Sequence, residues 1–285
     1  MQRILLHACC GPCSLEPVRI LRSEGIEPVI FYANSNIHPA EEYARRLATL
    51  RAWAAEEEVA VAEGAYDAEA WEAVVGRIGN AAEAKFGVIC NEEGDGRGET
   101  DSEARAAREG DGAAADGPSE ARIAREARCR ACYRLRFTEA ARYAAEHGFD
   151  ALGATLSVSP YQYTRIIREE LERACECAGI EAHFEDYRPF YDEATRRSRE
   201  GGMYRQNYCG CRFSEAEAAA EREERAAARR AAREAAKAAR AAERAAEEAE
   251  RARKRAEKQA YADRQARKRA ALKALRGQRR GDHGE

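Results

Sequence analysis

The sequence predicts an α/β fold with a mainly parallel sheet flanked by helices, and three observations lead there. Short apolar runs of strand type alternate with stretches whose apolar residues recur at helical intervals. The connections between them are brief, as in a sheet whose parallel strands are joined by crossover helices. A cysteine-rich turn also follows the first strand directly, where open α/β sheets place a ligand crevice beyond the carboxyl ends of their strands.

Ile4-Leu5-Leu6 reads as a buried strand running into Cys9-Cys10-Gly11-Pro12-Cys13. Two adjacent cysteines point to opposite sides of an extended chain, so a site using both needs a bend, which Gly11-Pro12 favours. Leu15 to Arg22 has helical spacing and ends at Glu24-Gly25, and Pro28 to Tyr32 is a second strand. Asn34 to Pro39 forms the loop at its end, on the side of the cysteine turn. Ala40 to Glu58 is helical through Tyr43, Leu47, Leu50 and Trp53. Val59-Ala60-Val61 is a third strand and Ala68 to Val75 another helical piece, while 76–91 carries no clear period. Ile123 to Glu146 is helical, Ala151 to Leu156 is a strand of small residues, and Ser157 to Tyr161 is its loop. Thr164 to Ala178 is the next helix and Phe184 to Tyr187 a last edge strand.

Two segments depart from this pattern. Residues 92–120 hold ten acidic and three basic residues with no periodic apolar face, and read as a disordered surface loop inserted within a domain. Residues 215–285 are almost wholly Ala, Arg, Lys and Glu, with 21 basic and 14 acidic residues, and read as one long, exposed, charged helix. The acidic loop and the basic tail cancel within a net charge of -3. A catalytic domain over 1–214 and a low-complexity tail over 215–285 is the expected organisation. The last part of the tail, 251–280, has 13 basic and two acidic residues, a composition suited to phosphates but also to a solvated spacer.

Ten cysteines are too few for a secreted disulfide scaffold of this length, and the start lacks the regions of a signal peptide. No apolar run reaches membrane-spanning length. A cytoplasmic, reducing setting is expected, in which clustered thiols bind metals or do redox work more often than they bridge. Cys129-x-x-Cys132 sets two thiols about one helical turn apart, and Arg128, Arg130, Arg134 and Arg136 around it are expected to favour the thiolate. Together with Cys9 and Cys10 it makes four thiols, the number for a tetrahedral zinc or a [4Fe-4S] cluster. Adjacent cysteines are uncommon in zinc modules, which favours iron–sulfur. Cys209-Gly210-Cys211 spans a ring small enough to be strained and readily reduced, suiting a redox pair, with two further metal ligands as the alternative. Cys13, Cys90, Cys175 and Cys177 read as packing or incidental. Asn34, Asn36, His38, Tyr161, Gln162 and Tyr163 fall on loops expected to face the crevice, and the tyrosines can stack on a nucleobase.

These residues resemble a known family. Leu5-Leu6-His7-Ala8-Cys9-Cys10-Gly11-Pro12-Cys13-Ser14, Asn36-Ile37-His38-Pro39, Cys129-x-x-Cys132-Tyr133-x-Leu135-Arg136, Ser159-Pro160-Tyr161 and Tyr204-Arg205-Gln206-x-Tyr208-Cys209-Gly210-Cys211 look like the QueH-type epoxyqueuosine reductases, over 1–91 and 121–214. The resemblance implies a Rossmann-like fold akin to the adenine nucleotide α-hydrolases. It also implies reduction of epoxyqueuosine to queuosine at the wobble position of tRNA, the last step of queuosine biosynthesis. Cys9, Cys10, Cys129 and Cys132 would hold a [4Fe-4S] cluster, and Cys209 and Cys211 would form a redox-active disulfide recharged by an external electron donor. The cluster, or an additional iron beside it, would polarise the epoxide oxygen. No nucleotide-binding glycine loop is present, so ATP use is not expected. A zinc-binding module that interacts with RNA and a metal-free thiol–disulfide oxidoreductase are the competing readings.

Overall fold

The structure, a computed structural model, describes residues 2–90 and 118–281. Five strands form one sheet in the order β3-β2-β1-β4-β5, and every neighbouring pair is parallel. They are β1 Ile4–His7, β2 Val29–Tyr32, β3 Val61–Glu63, β4 Ala151–Ala154 and β5 Glu181–His183. The central strands β1 and β4 are buried at every position, which is why they read as unbroken apolar runs rather than alternating ones. The predicted Rossmann-like α/β architecture is the one observed.

Around the sheet lie α1 Leu15–Ser23, α2 Ala40–Glu56, α3 Ala68–Trp71, α4 Arg77–Phe86, α5 Glu120–Glu146, α6 Thr164–Ala178 and α7 Tyr191–Glu200. Two large apolar clusters and two smaller ones form among the described residues. Of the large ones, one joins Leu5, Phe31 and Leu152 to Phe137, Ala140 and Ala144 of α5 and to Ile167 and Leu171 of α6. The other joins Ile4, Leu6 and Ile30 to Leu15, Val18 and Leu21 of α1 and to Leu47 and Leu50 of α2.

The differences from the sequence reading have local causes. The stretch from 76, left without a period above, holds α4 at Arg77–Phe86, and the π turn at Glu72–Gly76 that joins α3 to α4 interrupts the regular helical period. The edge strand lies at Glu181–His183, not at Phe184 to Tyr187. The last pairing with β4 is Gly153 with His183, one residue before β4 ends at Ala154 and the chain enters a 3₁₀ turn. Most of the acidic stretch lies outside the described residues; its end is ordered, with Ser119 capping α5 by accepting from the Arg122 N–H.

The last helix, α8, runs over Arg212–Gly281. The chain divides into two compact units, one through Arg222 and one from Glu223 onward. The first turns of α8 thus belong with the sheet: Phe213 and Glu217 are buried. Nearly every residue from 223 to 270 is exposed, as expected of a charged, alanine-rich helix. No helix among the described residues is long and apolar enough to cross a membrane.

Candidate active site

The turn after β1 tightens into a single 3₁₀ turn at Pro12–Ser14, closed by the Ser14 hydroxyl donating to the Cys10 carbonyl at 3.0 Å. This bend answers the problem of two adjacent cysteines: the sulfurs of Cys9, Cys10 and Cys13 all come within 4.8 Å of one another. Cys13, read from sequence as incidental, is therefore part of the cluster. The 3₁₀ turn, which a count of residues does not reveal, curls it back. Cys10 lies well below the usual thiol pKa because Cys13 and Cys9 both donate S–H to it, and its two neighbours are correspondingly raised.

Cys129, Cys132, Tyr133 and Arg136 follow one another at helical spacing, so α5 presents them on one face. Of the four arginines expected to lower the thiol pKa values, two act on the sulfurs, and burial is the larger effect. Arg130 and Arg134 turn away to Glu170 on α6, at 2.9 and 2.8 Å. Arg128 and Arg136 do act on the sulfurs, but burial outweighs them, and Cys129 and Cys132 are each pushed up to about 11. Cys132 accepts the Trp71 indole N–H at 3.4 Å, and Arg128 Nη2 stands 3.7 Å from Cys129 Sγ.

The Cys209-Gly210-Cys211 loop is held by α2. Arg46, fully buried and paired with Glu42 at 2.7 Å, donates to the Cys209 carbonyl at 2.9 Å. The Glu42 carboxylate also accepts the Tyr204 hydroxyl, and the His38 N–H binds the Gly210 carbonyl. Gly210 has φ +131°, and a Cβ there would meet Ile37 at 2.9 Å and Arg46 at 3.2 Å, so only glycine fits. Cys211 accepts the Ser214 N–H at 3.4 Å, and both cysteines of the loop are free thiols.

Cys129, Cys132, Cys209 and Cys211 line one small cavity of about 40 Å³ together with Trp71, Gln162 and the two tyrosines 161 and 163. Gln162 bridges its walls: its Oε1 accepts the Tyr133 hydroxyl at 2.6 Å and lies 4.0 Å from Cys209 Sγ. A cavity of this size admits water-sized groups. Tyr161, at the cavity's wall, is 45% exposed. Asn34 and Asn36 lie on the loop after β2, as the sequence placed them, and both are buried.

Cys9 and Cys10 do not line this cavity, but they belong to the apolar core that holds Tyr133 and against which Cys129 packs, and Cys9 and Cys132 both act electrostatically on Cys209. Arg136 is 1% exposed and feels Cys132, Cys9 and Cys209 together. Among the described residues its Nε and Nη1 have no hydrogen-bond partner, nor have the amide atoms of buried Asn36. Soft sulfur donors, cations on their flanks and unspent buried N–H groups fit an anionic, sulfur-bound iron centre. Sequence reasoning gave no role to Arg46, Trp71 or Glu217, whose partners are remote along the chain.

A family model described as epoxyqueuosine reductase QueH matches residues 4–92 and 115–217. The chain belongs to that family. Its similarity to named members is low in identity but long. It is 25% identical over 215 residues to the epoxyqueuosine reductase QueH of Dehalococcoides mccartyi, covering 75% of this chain and 93% of that one. The Haemophilus influenzae protein of the same name is 27% identical, covering 78% and 75%. That of Thermotoga maritima is 26% identical, covering 80% and 95%. The QueH match takes in all the thiols of the site and ends within the first turns of α8.

Proposed function

We propose that this protein reduces epoxyqueuosine to queuosine at the wobble position of tRNA, with a [4Fe-4S] cluster on Cys9, Cys10, Cys129 and Cys132 and a redox pair in Cys209 and Cys211. The observation that carries the reading is the gathering of thiols from three remote stretches of a QueH-family chain around one buried arginine. When bound, the iron centre supplies electron transfer and Lewis-acid polarisation of the epoxide oxygen. The catalytic unit is residues 1–214 with the first turns of α8, and a tRNA-modifying reductase works in the cytoplasm.

The chain's own residues supply the rest. Tyr161, set edge-on to Tyr191 with ring centroids 6.0 Å apart, offers its exposed face to the modified base at the mouth of the crevice. Gln162 orients the Cys209 thiol. Converting the epoxide to an alkene consumes two electrons and two protons and releases water. Oxidation of the Cys209 and Cys211 thiols to a disulfide releases two electrons and two protons, so the two half-reactions balance. An external donor then reduces the disulfide for the next turnover.

A second reading, a single zinc or iron ion on Cys9, Cys10 and Cys13, is favoured by the mutual spacing of those sulfurs, which suits one ion.

The test is anaerobic reduction of epoxyqueuosine-containing tRNA. The wild type is expected to turn over many times with an added reductant, and Cys209→Ser to keep its metal yet lose multiple turnover. Full multiple-turnover activity in Cys209→Ser would refute the relay.

A further inference from the structure

Two hydrogen bonds tie the early cysteine turn to α5. Asn34, just past the end of β2, donates from Nδ2 to the carbonyl of Ala8, the residue before Cys9, at 2.8 Å. Its Oδ1 accepts from Arg136 Nη2 at 2.5 Å. Arg136 follows Cys132 by four residues on the same face of α5. One buried asparagine thus links the backbone beside one cysteine pair to the helix that carries the other.

Arg136 also differs from the other buried arginines. Arg46 is paired with Glu42, and Arg125 and Arg128 with Glu217. Arg136 forms no ion pair with a carboxylate among the described residues, the Glu139 carboxylate feeling its charge without contact, and its fixed partner is a neutral amide. A guanidinium taken out of water needs a counter-charge. The acidic groups that act on it most strongly are the sulfurs of Cys132, Cys9 and Cys209, followed by the Tyr133 hydroxyl. An aspartate at 34 would neutralise the cation; Asn34 orients it and leaves its charge to the thiol side.

We propose that Asn34 and Arg136 form a bracket that fixes the separation of the two cysteine pairs, and that Arg136 Nε and Nη1 donate to cluster sulfur, making Arg136 a positioning residue that tunes the reduction potential. The proposal rests on the reading of the four thiols as cluster ligands. Hydrogen bonds and net charge at the sulfurs are among the main determinants of a cluster's potential. A nearby cation favours the more negative, reduced form and so raises the potential.

The experiment loads the full chain with iron and sulfide anaerobically as wild type, Arg136→Gln, Arg136→Lys and Asn34→Ala. It measures iron and sulfide per chain, the midpoint potential by an electron paramagnetic resonance titration, and the rate of iron loss to a chelator. Arg136→Gln is expected to shift the midpoint to lower potential and to lose roughly 10–100-fold in kcat/KM, the usual range for residues that support metal ligands. Arg136→Lys keeps the charge and is expected to recover part of the potential. Asn34→Ala, with the bracket cut and the cation kept, is expected to lose iron faster. A loaded wild type beside an Arg136→Gln of unchanged potential and iron retention overturns the bracket alone. Should Arg136→Gln fail to fold, a wild-type rate of iron loss in Asn34→Ala overturns it. A wild type that takes up no cluster overturns the reading of the thiols and the bracket with it.

Discussion

Glu217 is 3% exposed and meets Arg128 through both oxygens, at 2.6 and 3.0 Å, with Arg125 at 3.2 Å. It is the point where the first turns of α8 lock onto α5, and Arg128 in turn lies against Cys129. Removing one partner of a buried ion pair costs about 3–5 kcal/mol, because the remaining charge is stranded. Glu217→Ala is expected to lose stability in that range, measured by urea unfolding, and to leave Cys129 more open to alkylation. A change under about 0.5 kcal/mol, typical of a surface residue, would show that the contact is not maintained. Neither Glu217 nor Arg136 could be assigned a partner from sequence. The pairings span 89 and 102 positions; charge alone does not say which of 48 basic and 51 acidic residues will meet, and it gives no hint that Arg136 meets the neutral Asn34.

At the scale of elements, the strands and long helices were legible because burial imposes its own pattern: unbroken apolar runs for β1 and β2, helical spacing for α2 and α6. What escaped were irregular pieces. The 3₁₀ turn that returns Cys13 to Cys9 and Cys10 spans three residues, and the π turn before α4 breaks the very period by which helices are recognised. The α6 cysteines were read as packing, and the two differ. Cys175 is 1% exposed in the core, whereas Cys177 is exposed. Burial pushes Cys175 from 9.0 up to about 12. The unfolded chain therefore releases this proton near pH 9 while the folded chain retains it. The stabilisation is complete below pH 9 and is lost as the pH rises toward about 12. The urea midpoint of the wild type is expected to fall relative to Cys175→Ala as the pH passes from 8 to 10.5. Parallel curves for the two proteins would contradict the assignment.

For the whole molecule, the boundary between compact units falls at Arg222, not where the composition changes near 215. A cut at 215 would remove Glu217 from beneath Arg128, so the useful truncation ends at Arg222. That shortened chain is expected to keep its iron and its chemistry at saturating tRNA. If the basic segment contacts phosphates, it is also expected to bind tRNA more weakly with a flatter dependence on salt. Unchanged binding at physiological salt would make the tail a spacer. The central claim is that thiols from remote parts of the sequence hold one iron–sulfur centre, and the most direct measurement is iron and acid-labile sulfide per chain after anaerobic purification. About four of each are expected in the wild type, falling sharply in both Cys9→Ser and Cys132→Ser. Bound zinc without sulfide, or a full complement of iron in either variant, would contradict it.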